Sequence, residues 1–430
     1  MQAVTPEALW CEIGVKPFQI TFEEIRYVGQ EDNLRTLFFT VIAEVISFGV
    51  LIPIVPLLFT EPSSSYFMLP EGLSINTGYI LLGLLIGLYP LGQFIATPIL
   101  GEISDIYGRK KVIQISILGT VISSLIFAYG ILISSIAVLF ASRVVNGLTG
   151  GLVSVAQASI ADVSNNDDKS KNFGIIGMAF GTGFIFGPFL GGLLSSDFSA
   201  YFTSTTPFLF AAGLSALSLV YSNRKLVETS PMEDKKIDWR KPMTQLIKGL
   251  NLPGLKKVFA ANFFYFSGFA FFTTFIPVYL VQQFEFTQFG TGNFFFYIGL
   301  LLIFGQGYLV PKIFSKIKEE KLMPFTLFLT GLFIFLQPMP STLIPFMLAV
   351  TMFSLNNSVT QIALNTIISN KAADKDQGLA LGTNQSVRSI ANAIPSMLSG
   401  VAAAAFNPSA PLIIAGLLIM ATALVYKVSE

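Results

Sequence analysis

Long apolar segments alternate with short polar ones along most of the 430-residue chain. Twelve segments of about 18–25 residues carry almost no charge, which is typical of membrane-spanning α-helices. The pattern predicts an all-α integral membrane protein with twelve transmembrane helices. We number the segments span 1 to span 12; they lie at about residues 36–59, 78–100, 112–132, 136–159, 172–195, 203–222, 257–281, 288–310, 322–338, 341–362, 378–404 and 410–426.

Composition supports this interpretation and excludes several functions. Hydrophobic residues make up 53% of the chain, too many for an ordinary soluble protein. The chain has one cysteine, Cys11, and no histidine, so we expect no disulfide framework, metal site, cofactor or catalytic nucleophile–base pair. A net charge of +1 gives no sign of nucleic-acid binding, and no G-x-x-x-x-G-K-[ST] motif indicates ATP as the energy source.

The positive charges indicate how the chain crosses the bilayer. Of 26 Lys and Arg residues, all but Arg143 and Arg388 lie in the two tails or in the loops that follow even-numbered spans. Since retained positive charges mark the cytoplasmic side, both termini are predicted to be cytoplasmic. The first 35 residues are polar, with acids where a signal peptide would be basic, and predict no cleavable signal. Asn, Ile, Lys and Phe are abundant, as in proteins encoded by AT-rich bacterial genomes. We therefore expect a bacterial source and an inner-membrane location.

Internal similarity divides the chain into two halves. "LGQFIATP" at 91–98 and "FGQGYLVP" at 304–311 share Gly-Gln and Pro at one spacing, and "LIPIVPL" and "FIPVYLV" share Ile-Pro. Chance recurrence in Gly-rich spans is the alternative. We predict a cytoplasmic tail at 1–35, six-helix bundles at 36–222 and 257–430, and a cytoplasmic linker at 223–256. The role of the tail stays open.

Four motifs of the first half resemble those of one transporter family. "GEISDIYGRKKV" at 101–112 is similar to the loop signature of the major facilitator superfamily, G-x-L-a-D-r-x-G-R-k-x-x-l. "RVVNGLTGG" at 143–151 resembles its span 4 motif. "GTGFIFGPFLGGLL" at 181–194 and "GVLIPIVPLL" at 49–58 resemble the span 5 and span 1 motifs of its drug:proton antiporters, the tetracycline and multidrug exporters.

The resemblance implies roles for these motifs. In the family the loop between spans 2 and 3 acts as a latch between the bundles, with its acid, here Asp105, near span 11. The span 4 arginine, here Arg143, takes part in proton coupling, and the resemblance also implies a monomer. The span 5 motif is implied to pack against spans 1 and 8 through its small residues, here Gly183, Gly187, Pro188, Gly191 and Gly192.

The residues of the loop motif also have a direct physical interpretation. Gly101 and Gly108 permit a tight loop, and Asp105 can cap the N-terminus of a partner helix. Arg109 can pair with Asp162, at the cytoplasmic end of span 4. The alternative is that Arg109 and the lysines after it only set the topology, which leaves Asp105 unexplained.

Three charged residues lie inside spans. Glu44 is the only acid in the middle of one, nine residues before Pro53, where the exporters of this family carry an acid. A charged side chain there costs roughly 2.5–3.5 kcal/mol, so a group that accepts and releases a proton is expected, with a structural hydrogen bond as the alternative. Arg143 is either a coupling residue or a structural one. Arg388 belongs either to the latch around Asp105 or to the central cavity.

Polar and aromatic faces of other spans suggest a cavity. Asn357, Gln361 and Asn365 follow one face of span 10 at four-residue spacing, and span 4 offers Asn146 and Gln157. These amides either join helices or contact substrate, and the family resemblance favours contacts. Span 7 is aromatic, with Phe269 among the residues expected to face a substrate.

These features predict a proton-coupled antiporter that exports an amphiphilic organic compound by alternating access, with protons and the lipid bilayer as partners. One alternative is transport of a specific metabolite such as a siderophore, an amino acid derivative or a sugar. A second is a transport-inactive receptor or assembly factor with the same fold.

Overall fold

A computed structural model of the chain describes residues 30–164, 169–230, 241–372 and 377–428. Within these residues the protein is helical, without strands, as the hydrophobic pattern predicts. Most of the predicted N-terminal tail and the central part of the predicted linker lie outside the described residues.

Every predicted span has a helical counterpart. The helices of spans 1 to 6 are Gln30–Gly49 with Val55–Phe59, Ile75–Tyr107, Arg109–Leu132, Ile136–Leu148 with Leu152–Val163, Lys169–Leu194, and Thr206–Lys225. Those of spans 7 to 12 are Lys256–Phe284, Gln288–Phe304 continued by Val310–Phe314, Glu319–Leu336, Leu343–Lys371, Gln377–Ala405 and Ala410–Val428. Lys241–Leu250 forms a further helix, which we call the linker helix.

Length and apolarity alone identify seven membrane-crossing helices among the described residues. They are Ile75–Tyr107, Arg109–Leu132, Ile136–Val163, Asn172–Leu194, Lys256–Phe284, Gln288–Phe314 and Leu343–Ile368. The helices of the other five spans have shorter apolar stretches or more polar residues. The count of twelve spans therefore rests on the alternation of apolar and polar segments along the sequence and not on helix length and apolarity.

Three spans are interrupted where the sequence disfavours a regular helix. Span 1 breaks before Val55, next to Pro53 and Pro56, because proline lacks the amide hydrogen that a helix interior needs. Span 4 breaks at Thr149–Gly151. Span 8 contains a π-helical turn at Gly305–Leu309, directly before Pro311.

The loop motif lies mostly within a helix, contrary to prediction. The span 2 helix continues to Tyr107, so Gly101 and Asp105 occupy its last two turns, and no atom lies near the position of a side chain at Gly101. Only Gly108, with φ +98°, leaves the helical conformation and separates spans 2 and 3.

Packing between spans is extensive on both sides of the linker. Span 1 packs against spans 5 and 6, span 2 against span 4, and span 3 against spans 4 and 6. In the second half, span 7 packs against spans 11 and 12, and span 9 against spans 10 and 12. The most extensive contacts between the halves are those of span 2 with span 11 and of span 5 with span 8. The boundaries proposed for the two bundles stay a prediction.

Candidate functional site

Glu44 lies buried between spans 1 and 3, with 9% of its surface exposed. The hydroxyl of Thr120 donates a hydrogen bond of 2.6 Å to Glu44 Oε2. Thr120 itself is 2% exposed, so the pair is shielded from solvent. A carboxyl group held by one neutral donor can change its protonation state without breaking a tight ion pair.

Arg143 is the positively charged residue whose charge acts on Glu44. It is 3% exposed and interacts electrostatically with Glu44, yet the two form no ion pair within 4 Å. Its guanidinium lies 4.7 Å from the ring centroid of Phe127 and donates to Ser142 Oγ at 3.3 Å, while Nε has no partner. Arg143 is therefore incompletely satisfied, which leaves it free to respond to the charge of Glu44.

The break in span 4 is tied to spans 2 and 11. The side-chain amide of Gln93, in span 2, donates to the carbonyl of Gly150 at 3.1 Å, and Ser389 Oγ donates to Gln93 Oε1 at 3.2 Å. Gly147 and Gly92 lie backbone against backbone at the same contact. Gln93 thus joins spans 2, 4 and 11.

The predicted polar residues of span 4 are placed differently from each other. Asn146 is 7% exposed and its side-chain oxygen has no partner, whereas Gln157 is half-buried. Asn146 lies three residues after Arg143, on the same helix face.

The amides of span 10 converge on Tyr265 of span 7. The fully buried Tyr265 hydroxyl donates a hydrogen bond to Asn357, and a further side-chain hydrogen bond links Tyr265 to Gln361. Asn365 is exposed at the predicted cytoplasmic end. Two members of the predicted ladder therefore join helices in this conformation.

An aromatic pocket lies beside this network, between spans 5, 7, 8 and 10, and in this conformation it is closed to about 10 Å³, so it has to widen before it can hold an organic molecule. Its lining consists of Phe184, Phe269, Phe272, Thr273, Phe295, Ile298, Leu302, Phe353 and Asn357. Phe269 and Asn357 were both predicted from the sequence to face a cavity, and the structure brings them together here.

A larger apolar cavity, of about 400 Å³, lies toward the predicted cytoplasmic side. It is lined by the linker helix together with spans 2, 7 and 11, through Phe94, Leu246, Leu250, Lys256, Phe259, Ala260, Phe263, Phe264, Val387 and Ile390. No pattern in the sequence indicated this cavity, because the linker helix lies in a segment interpreted as a loop.

Arg388 is placed with aromatic residues and not with Asp105. Its guanidinium lies 4.3 Å from the ring centroid of Phe266, in span 7, and 5.7 Å from that of Phe180, in span 5. Asp105 instead pairs with Arg109, at 2.5 Å. Grouping Arg388 with the latch is therefore corrected for this conformation, and its position is between spans 5, 7 and 11.

The charges of the loop motif form a network within the first half. Arg109 Nε donates to Asp162 Oδ2 at 3.1 Å, the pairing expected from the sequence. Among the described residues, Asp105 makes no capping hydrogen bond to a partner helix. The carboxylate that caps a helix here belongs to Glu228, which accepts from the backbone N–H groups of Arg109 and Lys110 at 2.7 and 3.1 Å.

Glu228 was missed by the sequence analysis. It follows span 6 in a polar segment, and its carboxylate lies so close to Gly108 that a side chain there would collide with it. No local pattern marks a cap that is 119 residues away from the helix it serves.

The small residues of span 5 form the predicted close contacts. Gly183, Gly187 and Gly191 face span 1, and Gly192 faces Gln288 and Gly292 of span 8. The carbonyl of Pro188 also lies against Gly292. The glycines therefore let span 5 approach spans 1 and 8 closely, as helix packing through this motif requires.

Helices long and apolar enough to cross a membrane recur throughout the described residues, as in an integral membrane protein. The chain belongs to the Major Facilitator Superfamily, whose sequence profile matches residues 37–396. It is a membrane transporter and not an enzyme.

The similar proteins include tetracycline and multidrug resistance proteins. The class H tetracycline resistance protein of Pasteurella multocida is 34% identical over 192 residues, which cover 45% of this chain and only 44% of that protein. Major facilitator superfamily domain-containing protein 10 of Bos taurus is 27% identical over 417 residues, 86% of each chain. Multidrug resistance protein 2 of Bacillus subtilis is 25% identical over 376 residues, 85% of this chain and 88% of that protein.

Solved structures share the fold. The human organic anion transporter MFSD10 (TETRAN) superposes with a TM-score of 0.71 at 21% identity, covering 92% of this chain and 99% of the other. A D-xylose-proton symporter gives a TM-score of 0.71 at 16% identity, covering 93% and 97%. The chain therefore has the major facilitator fold.

Proposed function

We propose that this chain is a proton-coupled antiporter that exports an amphiphilic organic compound by alternating access. The observation that carries the proposal is Glu44, a buried carboxyl in the middle of span 1 whose partner is the neutral hydroxyl of Thr120. Such a group can load and release a proton as the transporter changes conformation. Arg143 lies within electrostatic range and would favour release.

The surroundings of the site favour an organic substrate over a sugar or a phosphate ester. The aromatic pocket offers ring surface and one amide, Asn357, and the larger cavity is almost wholly apolar. Such linings bind apolar bodies with few polar groups. Tetracycline and multidrug resistance proteins among the similar sequences support export, as does the location of the larger cavity on the predicted cytoplasmic side.

The loop charges act, in this proposal, as a conformational latch. Arg109 holds Asp105 and Asp162 together, and Glu228 fixes the start of span 3. When the cytoplasmic ends close, Asp105 can exchange Arg109 for a partner at the N-terminal end of span 11. We propose that the transporter functions as a monomer with both termini in the cytoplasm of a bacterium.

The test uses the full chain reconstituted in liposomes with an imposed pH gradient, acidic inside. We expect accumulation of tetracycline that stops when the gradient is collapsed. Glu44→Gln, which mimics the protonated acid, should retain binding and substrate exchange without a gradient but lose gradient-driven accumulation by about tenfold or more. Glu71→Gln, at an exposed acid outside the spans, serves as the matched control and should behave like the wild type.

Two results contradict the proposal. Accumulation by Glu44→Gln equal to the wild type would place coupling elsewhere in the chain. Transport by the wild type that does not respond to the gradient would make the protein a facilitator.

A further inference from the structure

Arg388 is a charged residue inside a predicted span, and the residues that the structure describes supply no counter-charge for it. It lies eleven residues into span 11 and is half-buried. Among the residues that the structure describes, its guanidinium makes no ion pair or hydrogen bond, and it lies over the rings of Phe266 and Phe180.

A guanidinium in this position is costly to keep. Inserting a charge into a span costs roughly 2.5–3.5 kcal/mol, and a cation–π contact returns about 0.5–2 kcal/mol. Ring faces also satisfy none of the five N–H donors. Arg143, the other arginine inside a span, differs because it has Glu44 within electrostatic range and a hydrogen bond to Ser142.

The position of Arg388 is suited to a ligand that is shared between the two predicted bundles. Phe266 belongs to span 7 and Phe180 to span 5, so the guanidinium is placed where the halves of the chain meet. Phe184 and Phe269, which line the aromatic pocket, follow Phe180 and Phe266 by one helical turn. The charge therefore stands at one end of an aromatic surface.

We propose that Arg388 binds the carboxylate of an amphiphilic organic acid, whose apolar body lies along Phe180, Phe266 and the aromatic pocket. The planar fork of donors matches a carboxylate in a bidentate arrangement. This inference rests on the proposed function, since it names the substrate class of the same site.

The test compares pairs of ligands that differ only in charge. Purified full-length protein in detergent is titrated with 2-naphthoate and 2-naphthamide, and with 1-pyrenebutanoate and 1-pyrenebutanamide, by equilibrium dialysis. The wild type should bind at least one acid about tenfold or more tightly than its amide, as expected of a charge-assisted bidentate pair. Arg388→Gln should bind acid and amide equally, and Arg388→Lys should retain part of the preference.

Lys312→Gln provides the matched control. Lys312 Nζ also lies over an aromatic ring, 4.0 Å from the centroid of Tyr308, but it is exposed at the end of span 8. Its removal should leave the preference for the acids unchanged. A general effect of net charge would instead reduce the preference in both variants.

Thermal denaturation separates a binding role from a structural one. Because the ring faces return less than the cost of burying the charge and no described residue supplies a counter-charge, Arg388→Gln without ligand should be at least as stable as the wild type. A structural arginine would instead lower the melting temperature on replacement. Naphthoate or pyrenebutanoate should stabilise the wild type and not the variant.

The proposal is overturned if the wild type shows no preference for either acid, including the case of no measurable binding, or if Arg388→Gln keeps the preference. Its failure is separable from that of the proposed function. Loss of the acid preference with intact gradient-driven accumulation refutes only the carboxylate site, and an intact preference without gradient dependence refutes only proton coupling.

Discussion

At the scale of single residues, Tyr265 is the point on which the polar groups of span 10 converge. Its hydroxyl donates to Asn357, which is 1% exposed. An unsatisfied buried polar group costs more than a hydrogen bond contributes, because the lost partner cannot be replaced by water.

We therefore expect Tyr265→Phe to lower the free energy of unfolding by about 1–3 kcal/mol. The measurement is denaturant or thermal unfolding of the purified protein. Tyr297→Phe is the control, because the hydroxyl of Tyr297 bonds Thr351 at 2.7 Å in a half-buried position and should matter less. Equal stability of Tyr265→Phe and the wild type would show that the link to Asn357 contributes nothing.

The sequence identified candidate site residues best where burying the side chain costs much free energy. Glu44, Arg143 and Arg388 are conspicuous because a charge in an apolar segment needs a reason. Thr120 and Tyr265 gave no such signal, since hydroxyl groups are common in transmembrane helices and can bond their own backbone. Which hydroxyl meets Glu44 depends on the rotation and packing of helices, and neither is encoded locally.

At the scale of helices, the contact between spans 1 and 5 depends on glycine. A methyl group added at Gly187 would lie 2.8 Å from Cα of Gly49, and backbone atoms cannot move aside as a flexible side chain can. Gly181, one and a half turns earlier in the same helix, has no atom within 4 Å of that position.

Gly187→Ala should lower stability by about 1–3 kcal/mol, as overpacking does, and reduce transport. Gly181→Ala should be neutral or stabilising, because alanine favours a helix over glycine by about 1 kcal/mol. Unfolding curves and transport rates of the two variants, compared at equal expression, provide the test. A Gly187→Ala protein that matches Gly181→Ala would mean that spans 1 and 5 separate easily.

Hydropathy predicted where helices lie but not how they end or break. The helices of spans 2 and 10 extend to Tyr107 and Lys371, beyond their predicted ends near residues 100 and 362. These helices continue beyond the apolar segments because polar residues outside the bilayer can keep the helical backbone hydrogen bonds. The apolar pattern therefore marks the part inside the membrane and not the end of the helix. The break at Thr149–Gly151 was likewise hidden, since glycine is frequent in transmembrane helices that do not break.

At the scale of the whole molecule, the predicted outer side is closed and the larger cavity lies on the other side. Gln282, at the outer end of span 7, donates to the carbonyl of Thr60 at 3.2 Å and to the hydroxyl of Tyr79 at 3.0 Å. These bonds join spans 1, 2 and 7 across the predicted halves. Sequence motifs cannot show which side is closed, because the same sequence adopts both the outward-open and the inward-open conformation.

Gln282→Leu should shift the equilibrium toward opening of the outer side. Each net hydrogen bond is worth about 0.5–1.5 kcal/mol, so the population of open protein should rise roughly 2- to 12-fold per bond lost. A cysteine at Phe275, which is buried against Tyr79, reports opening by its rate of reaction with a water-soluble maleimide after Cys11 is replaced by serine. An unchanged labelling rate would show that these bonds do not control the outer side.

The contacts that close the outer side also affect how the open–closed equilibrium depends on temperature, because many of them are between backbone atoms. Gly83 meets Gly400, and Gly192 meets Gly292, where spans 2 and 11 and spans 5 and 8 cross. A glycine has no rotamers to immobilise, whereas ordering a long side chain costs up to about 2 kcal/mol of entropy. These contacts can form and separate with little change in conformational entropy, so the balance between open and closed outer ends should vary only weakly with temperature.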